Sequence, residues 1–314
     1  MKKIALVGCG LVGGSWSLVF ARAGFSVTLY DPSPASIDIA LQFVKKSSAA
    51  LAEMDLLRGQ KPEDIAARLK TAGSLEEAVH DADYVQESSP ERLPIKQALY
   101  KEMAPLIKPD AMIGSSTSGL PPSSFTEDVP NRERCMVVHP LNPPHLIPLV
   151  ELVPAPWTLP SIVDTAEALM RQLGQVPIRL NREVTGFIVN RLQGAILNEA
   201  FRLVEDGVCS AADIDAAMTE GLGLRWFFIG PFENIDLNAQ GGLADYCAKL
   251  APMNYAIAKE QVDPRKWTDV LLADVHDQMR QRTPMEQLDK RKAWRDRCLA
   301  LFIRMKSNIL KENS

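Results

Sequence analysis

The sequence predicts an α/β protein, with a doubly wound parallel sheet in the first part of the chain and an all-helical domain in the second. Three observations carry this expectation. The 314 residues are about twice the usual size of a single domain. Short apolar runs alternate with helix-patterned segments up to Leu180 and then stop. Beyond that point the apolar spacing is helical only.

The elements follow in order. Lys3 to Val7 is an apolar run that ends at glycines and reads as the first strand. Gly14 to Ala23 places apolar residues at helical spacing. Phe25 to Tyr30 alternates and stops at Asp31-Pro32, where the proline ends regular structure. Tyr84-Val85-Gln86, Met112-Ile113-Gly114, Cys135 to Val138 and Leu149 to Val153 read as further strands. Between them, Pro94 to Ile107 has apolar positions three and four apart and reads as a helix. Strands alternating with helices predict a parallel sheet. Val176 to Leu180 is the last strand signal, and Pro140 to Pro144 reads as a rigid loop.

From Gly186 onward, Phe187, Val189, Leu192, Ile196, Leu197, Phe201 and Val204 form a helical stripe closed by Gly207. Asp213 to Met218 and Trp294 to Met305 are helical in pattern as well. The composition shifts near residues 182–185, which divides the chain into domains 1–183 and 184–314.

Composition excludes several classes. Hydrophobic residues make up 46% of the chain and charged residues 24%, enough apolar surface to rule out intrinsic disorder. No apolar run is long enough for a membrane helix. Met1-Lys2-Lys3-Ile4 leads into glycines rather than a signal-peptide core, so a cytoplasmic location is expected. The 35 basic and 39 acidic residues are interspersed, so neither nucleic acid nor a membrane surface is indicated as a partner. Cys9, Cys135, Cys209, Cys247 and Cys298 are scattered without a C-x-x-C pair. With four histidines in all, no metal centre is expected.

Gly8-Cys9-Gly10-Leu11-Val12-Gly13 follows a strand and opens a helix, the context a dinucleotide fingerprint requires. Gly8 would permit the tight turn, Gly10 the approach of a pyrophosphate, and Gly13 close helix–strand packing. The amides that open the helix, at Leu11 and Val12, would face the phosphates. Asp31 ends the second strand, 18 residues after Gly13. Its carboxylate would accept from a ribose 2′-hydroxyl and repel a 2′-phosphate, which favours NAD over NADP. The first domain is therefore expected to be Rossmann-like.

A second constellation is Ser118, His139 and Glu151. His139 ends an apolar strand, where a doubly wound sheet binds its ligands, and histidine can move a proton near neutral pH. Read alone, it fits a structural core histidine equally well. Glu151 interrupts the apolar run Leu149 to Val153 and, if buried, needs a partner. Alone, it reads as an outward-facing strand residue. Asn190 lies early in the first long helix of the second domain. It could bond a substrate oxygen, cap the helix or face solvent.

Taken together, the fingerprint, Ser116-Thr117-Ser118, His139-Pro140-x-Asn142-Pro143, Leu149-Val150-Glu151 and Gly186-Phe187-x-x-Asn190-Arg191 resemble the L-3-hydroxyacyl-CoA dehydrogenase superfamily over nearly the whole chain. Gly14-Ser15-Trp16, Ile147 to Pro154, Glu220-Gly221-Leu222-Gly223-x-Arg225 and Trp294-Arg295-Asp296 resemble its lambda-crystallin branch. The resemblance implies that His139 is the general base and that Glu151 pairs with it. It implies that Ser118 and Asn190 hold the substrate oxygen or the histidine–cofactor geometry. It further implies that Glu91 and Lys96 contact the cofactor, although both would otherwise read as solvated charges. It also implies a homodimer formed through the helical domains.

One departure concerns the substrate. Leu224-Arg225-Trp226-Phe227-Phe228-Ile229 replaces a shorter, proline-bearing link of the acyl-CoA branch. Arg225 could clamp a free carboxylate bidentately, a group that a thioester lacks. It reads equally well as a surface arginine, with Trp226, Phe227 and Phe228 as core packing. The expected function is NAD-dependent oxidation of a small 3-hydroxy carboxylic acid, L-gulonate-like. The alternatives are a 3-hydroxyacyl-CoA dehydrogenase and a non-catalytic NAD-binding structural protein.

Overall fold

A computed structural model describes residues 3–312. Met1 and Lys2, which enter the expectation of a cytoplasmic location, lie outside the described residues. Eight strands form one sheet: β1 (Lys3–Val7), β2 (Ser26–Tyr30), β3 (Leu69–Thr71), β4 (Tyr84–Glu87), β5 (Met112–Ser115), β6 (Cys135–Pro140), β7 (Leu149–Pro154) and β8 (Val176–Arg179). Their order is β3-β2-β1-β4-β5-β6-β7-β8. The order reverses between β1 and β4. In a doubly wound sheet that crevice, outside the carboxyl ends of the strands, is the ligand-binding position.

The strands alternate between the two faces of the sheet. Ile4 and Leu6 join a core with Trp16, Phe20, Tyr84 and Val138, while Ala5 and Val7 join another with Val85, Tyr100, Ile113 and Phe125. Burial on both faces is why the strands read as short continuous apolar runs.

Several elements escape the sequence reading, among them one long helix and the third strand. The helix Pro34–Glu53 buries Ile37, Ala40, Val44, Ser48 and Leu51, a spacing of three and four along one face. Strand β3 has three residues at the sheet edge, where little apolar signal is needed.

The expectation of a wholly parallel sheet needs one correction. β6 and β7 pair antiparallel, with His139 opposite Glu151. Only residues 141–148 join them, too few for the crossover that a parallel pair requires.

The described chain divides into two compact units, Met1–Arg191 with Asp296–Ser314, and Leu192–Arg295. The composition shift near 182–185 falls between the end of β8 at Arg179 and the helix Val189–Glu205. The last helix, Leu288–Glu312, ends in the first unit, where Ala300 is buried in the core. The second unit is helical. Among its described residues, only Ala211 and Leu271 are buried. No helix among the described residues is long and apolar enough to cross a membrane.

Candidate active site

The glycine motif does three different things. Gly8 has φ +95°, and a Cβ there would meet the Ser88 carbonyl oxygen at 2.5 Å. A Cβ on Gly13 would lie 1.9 Å from the Gly8 carbonyl oxygen, so the helix Leu11–Arg22 can sit on β1 only without it. A Cβ on Gly10 would meet nothing within 4 Å. That open side is where a bound group can approach the backbone. The first helical hydrogen bond runs from Gly14 N to Gly10 O, so the amides of Leu11 and Val12 precede the helical ladder and can face an anion.

A cavity of about 520 Å³ opens at this point, lined by Gly8, Gly10, Tyr30, Asp31, Ser88 and Ser89 among others. Asp31 Oδ2 accepts from Cys9 N at 2.8 Å and Oδ1 from Ser33 N at 2.9 Å. These bonds fix the carboxylate at the rim while leaving it lone pairs for a ribose diol. The bare backbone at Gly10 and the anchored acid at Asp31 fit a dinucleotide. Burial, then the charge of Asp31, pushes the Cys9 thiol up to about 12, so it is no nucleophile.

Glu91 is exposed, yet its carboxylate accepts from Thr117 Oγ1, from Ser118 N at 2.9 Å and from Gly119 N at 3.1 Å. It therefore shapes the loop that carries Ser118. Lys96 is not the solvated charge that its surroundings in the sequence suggest. It is 1% exposed and its ammonium lies 2.9 Å from Glu87 Oε1 and 3.0 Å from Oε2.

At the carboxyl end of β6, His139 is 5% exposed and Nδ1 lies 2.7 Å from Glu151 Oε2. Glu151 is fully buried, not outward-facing. The pleat of β7 turns it toward β6, and its desolvation is offset by this partner and by two amides. Its other oxygen, Oε1, accepts from Ile188 N at 2.7 Å and Val189 N at 3.1 Å, where the helix Val189–Glu205 begins. A carboxylate is stabilised by the unpaired amides and the dipole of a helix start. An ionised carboxylate only accepts, so the proton of the pair sits on Nδ1 and Nε2 is left as the basic nitrogen.

Phe187 completes the arrangement; expected as the first residue of the helical stripe, it lies instead in the turn before the helix Val189–Glu205. It is fully buried, its ring centroid lies 5.5 Å from that of His139, and its backbone is left-handed at φ 53°. With Gly186 at φ 75°, this turn carries the chain into the amides that Glu151 receives. Asn190 is half-buried and donates from Nδ2 to the Ser118 carbonyl oxygen at 2.5 Å. Ser118 itself is exposed. The first unit thus brings Ser118, His139, Glu151 and Asn190 into one hydrogen-bonded neighbourhood at the carboxyl edge of the sheet.

Ser116, named in the sequence only as part of a motif, is a buried hub. Its Oγ accepts from Trp16 Nε1 at 3.2 Å and Gln86 Nε2 at 2.7 Å, and lies 2.9 Å from Ser88 Oγ. The hub joins the fingerprint helix to the strand ends that flank the site.

In the second unit, Arg225 is exposed on the short helix Gly223–Trp226 and has no ion-pair partner among the described residues. Phe228 is 47% exposed rather than core.

Residues 3–184 match the NAD binding domain of 3-hydroxyacyl-CoA dehydrogenase, and residues 186–280 match its C-terminal domain. The chain belongs to the 3-hydroxyacyl-CoA dehydrogenase family. It is an NAD-dependent oxidoreductase of that family, with NAD as its cofactor. Lambda-crystallin of Oryctolagus cuniculus is 39% identical over 309 residues, covering 98% of this chain and 97% of the relative. L-carnitine dehydrogenase of a Pseudomonas species is 39% identical over 253 residues, 80% of this chain and 78% of the relative. The solved structure of FHMPC 5-dehydrogenase, an NAD+-dependent dismutase, has a TM-score of 0.84 at 28% identity. It covers 98% of this chain and 99% of that one.

Proposed function

We propose that the chain oxidises the 3-hydroxyl of a small, free 3-hydroxy carboxylic acid, L-gulonate-like, with NAD. The observation that carries this reading is the buried His139–Glu151 pair, whose carboxylate is anchored on the amides of Ile188 and Val189. Bound NAD supplies the hydride acceptor. Nε2 of His139 takes the hydroxyl proton as the carbon–hydrogen bond is lost and the hydroxyl carbon becomes a ketone. Glu151 holds the imidazole tautomer and offsets the positive charge that the ring gains. Ser118 and Asn190 orient the substrate hydroxyl, and Arg225 recognises the carboxylate. Gly8, Gly10, Leu11, Val12, Gly13 and Asp31 bind the cofactor, while Glu91 and Lys96 serve it from behind the loops that they hold.

The free acid is supported by the likeness to L-carnitine dehydrogenase, since L-carnitine is itself a free 3-hydroxy acid. The competing substrate is a 3-hydroxyacyl-CoA thioester, the class in the family's description. Rates with NAD on L-gulonate, 3-hydroxybutyrate and 3-hydroxybutyryl-CoA separate the two. Turnover of the thioester alone would overturn the free-acid reading.

Residues 1–183 form the dinucleotide-binding domain in this proposal, and 184–314 the substrate and dimerisation domain. Homodimerisation is supported by the near absence of buried residues in Leu192–Arg295 and by its exposed Leu192, Ile196, Leu224, Phe232 and Leu237. A mass of one chain in solution at micromolar concentration would contradict it. A cytoplasmic site of action is supported by five free cysteines, which a reducing compartment preserves.

A further inference from the structure

The loop that joins His139 to Glu151 is gripped by the helix that carries the glycine motif. His145 lies midway between those two residues along the chain, in the connection 141–148 between β6 and β7. Its backbone N–H donates to Ser15 Oγ at 3.2 Å, and its ring Nδ1 lies 2.6 Å from the same oxygen. Its carbonyl oxygen accepts from Arg22 Nη1 at 3.3 Å. Ser15 and Arg22 are both buried and both belong to the helix Leu11–Arg22. They stand about two turns apart and so share one of its faces.

Ser15 Oγ receives the backbone N–H of His145, so the serine proton is the one that goes to the ring. Burial, then the charge of Arg22, keeps the ring neutral, so Nδ1 accepts and the ring proton sits on Nε2. Phe43, from the helix Pro34–Glu53, meets the ring edge-on with centroids 5.3 Å apart. Gln175 Nε2 donates to the adjoining Pro144 carbonyl oxygen at 3.2 Å. The connection within a hairpin is usually its mobile part. This one is tied at its centre to the helix whose first amides can face the cofactor phosphates. Ser15, Arg22 and His145 do not line the nucleotide cavity, so their effect on the reaction runs through position alone.

We propose that Ser15 and His145 are a positioning pair for the reaction, with Arg22 as a second anchor: they set the height of the His139–Glu151 hairpin against the dinucleotide helix. The proposal rests on the reading of His139 as the base. Hydride and proton leave adjacent atoms of one substrate, so Nε2 of His139 must keep a fixed distance from the bound cofactor. A displacement of about 1 Å can cost about 100-fold in rate. One helix that both opens on the phosphates and holds the hairpin keeps that distance fixed.

The test is steady-state kinetics, read beside NADH fluorescence titration and the thermal unfolding midpoint, on Ser15→Ala, His145→Leu, His145→Asn and the double variant Ser15→Ala/His145→Leu. The substrate is L-gulonate, or 3-hydroxybutyryl-CoA where only the thioester is turned over. Ser15→Ala and His145→Leu each remove the hydroxyl–ring bond. Each is expected to lower kcat by about tenfold or more, with the NADH Kd within about threefold of wild type. The double variant is expected to fall no further than the worse single variant, because both changes break one link. Asparagine places its amide oxygen where Nδ1 stands and can accept from Ser15, so His145→Asn is expected to recover kcat to within about threefold of wild type. If His145→Leu does not fold, Ser15→Ala and His145→Asn carry the test. The proposal is overturned if kcat stays at wild type in Ser15→Ala and His145→Leu, whatever the unfolding midpoint does. It is also overturned if the two losses add in the double variant, or if the NADH Kd rises as much as kcat falls. His139→Ala, run alongside, separates the two readings. A large loss there with none in Ser15→Ala strikes the positioning pair alone, whereas near wild-type turnover in His139→Ala strikes the base assignment and this proposal with it.

Discussion

His139 and Glu151 are register partners across β6 and β7, and the antiparallel pairing of those two strands brings Nδ1 to 2.7 Å from Oε2. A parallel β7 would enter the sheet from the other end and need a crossover connection in place of residues 141–148. The short connection thus sets both the strand direction and the His139–Glu151 contact.

His139→Ala is expected to lower kcat by roughly 10²–10⁴-fold, the usual contribution of a general base, with the NADH Kd within about threefold of wild type. In the proposed reaction the base acts on the substrate proton, while the cofactor cavity is built from other residues. Glu151→Gln should lower kcat by about tenfold or more, because an amide that accepts from Ile188 and Val189 through its oxygen turns an N–H toward His139. Steady-state kinetics beside an NADH titration reads both. Near wild-type turnover in His139→Ala would sink the assignment.

Asp31 predicts the cofactor choice. Its carboxylate is fixed at the cavity rim by the amides of Cys9 and Ser33, so it cannot easily swing away from a 2′-phosphate. The kcat/KM with NAD should exceed that with NADP by about tenfold at least, and Asp31→Ser should narrow the gap chiefly by lowering the NAD value. Equal efficiency with the two cofactors in the wild type would show that Asp31 does not meet the ribose.

His145 gives a pH dependence of stability. It sits in the loop after β6, with Nδ1 2.6 Å from Ser15 Oγ. Burial, then the nearby Arg22, lowers its pKa from 6.5 to about 4, while Asp296 opposes the shift. The folded protein therefore holds the ring neutral where the unfolded chain would protonate it. Between about pH 6.5 and 4 the unfolded state binds more protons, so this contribution is complete above pH 6.5 and is lost as pH falls through that window. Its size is on the order of 3 kcal/mol. Denaturant unfolding at pH 7 and pH 4 should show a smaller acid loss in His145→Gln than in the wild type. Equal losses would mean that the ring does not titrate in this way.

The parts of the site that the sequence made legible are those where local chemistry is visible in a short window. Gly8, Gly10 and Gly13 are readable because a turn, an open approach and a close packing each forbid a side chain. Glu151 was half legible: an acid in an apolar strand announces a partner, but strand direction decides which residue that is. The same signal stood at Glu87, at the end of the run beginning Tyr84-Val85, and points to a buried cation such as Lys96. Phe187 read as the start of the helix, because the sequence does not show a left-handed phenylalanine that is set by the turn and by the packing of His139 on it. The helix Pro34–Glu53 blurred its buried stripe, because apolar residues such as Ile39, 67% exposed, also lie on its outer face.

Arg225 carries the free-acid reading to a decision. It is exposed on the helix Gly223–Trp226 and free of ion pairs among the described residues, so its guanidinium is available to a ligand. A bidentate, charge-assisted contact with a carboxylate contributes roughly 1.5–3 kcal/mol. Arg225→Met should therefore lower kcat/KM on a free 3-hydroxy acid by about 10- to 100-fold. Arg225→Lys should recover only part of that, because an ammonium lacks the planar two-point fork. On the methyl ester or amide of the same acid, which offers no negative charge, wild type and Arg225→Met should differ little. Equal losses on the charged and the neutral substrate would make Arg225 a structural residue and would favour the CoA thioester.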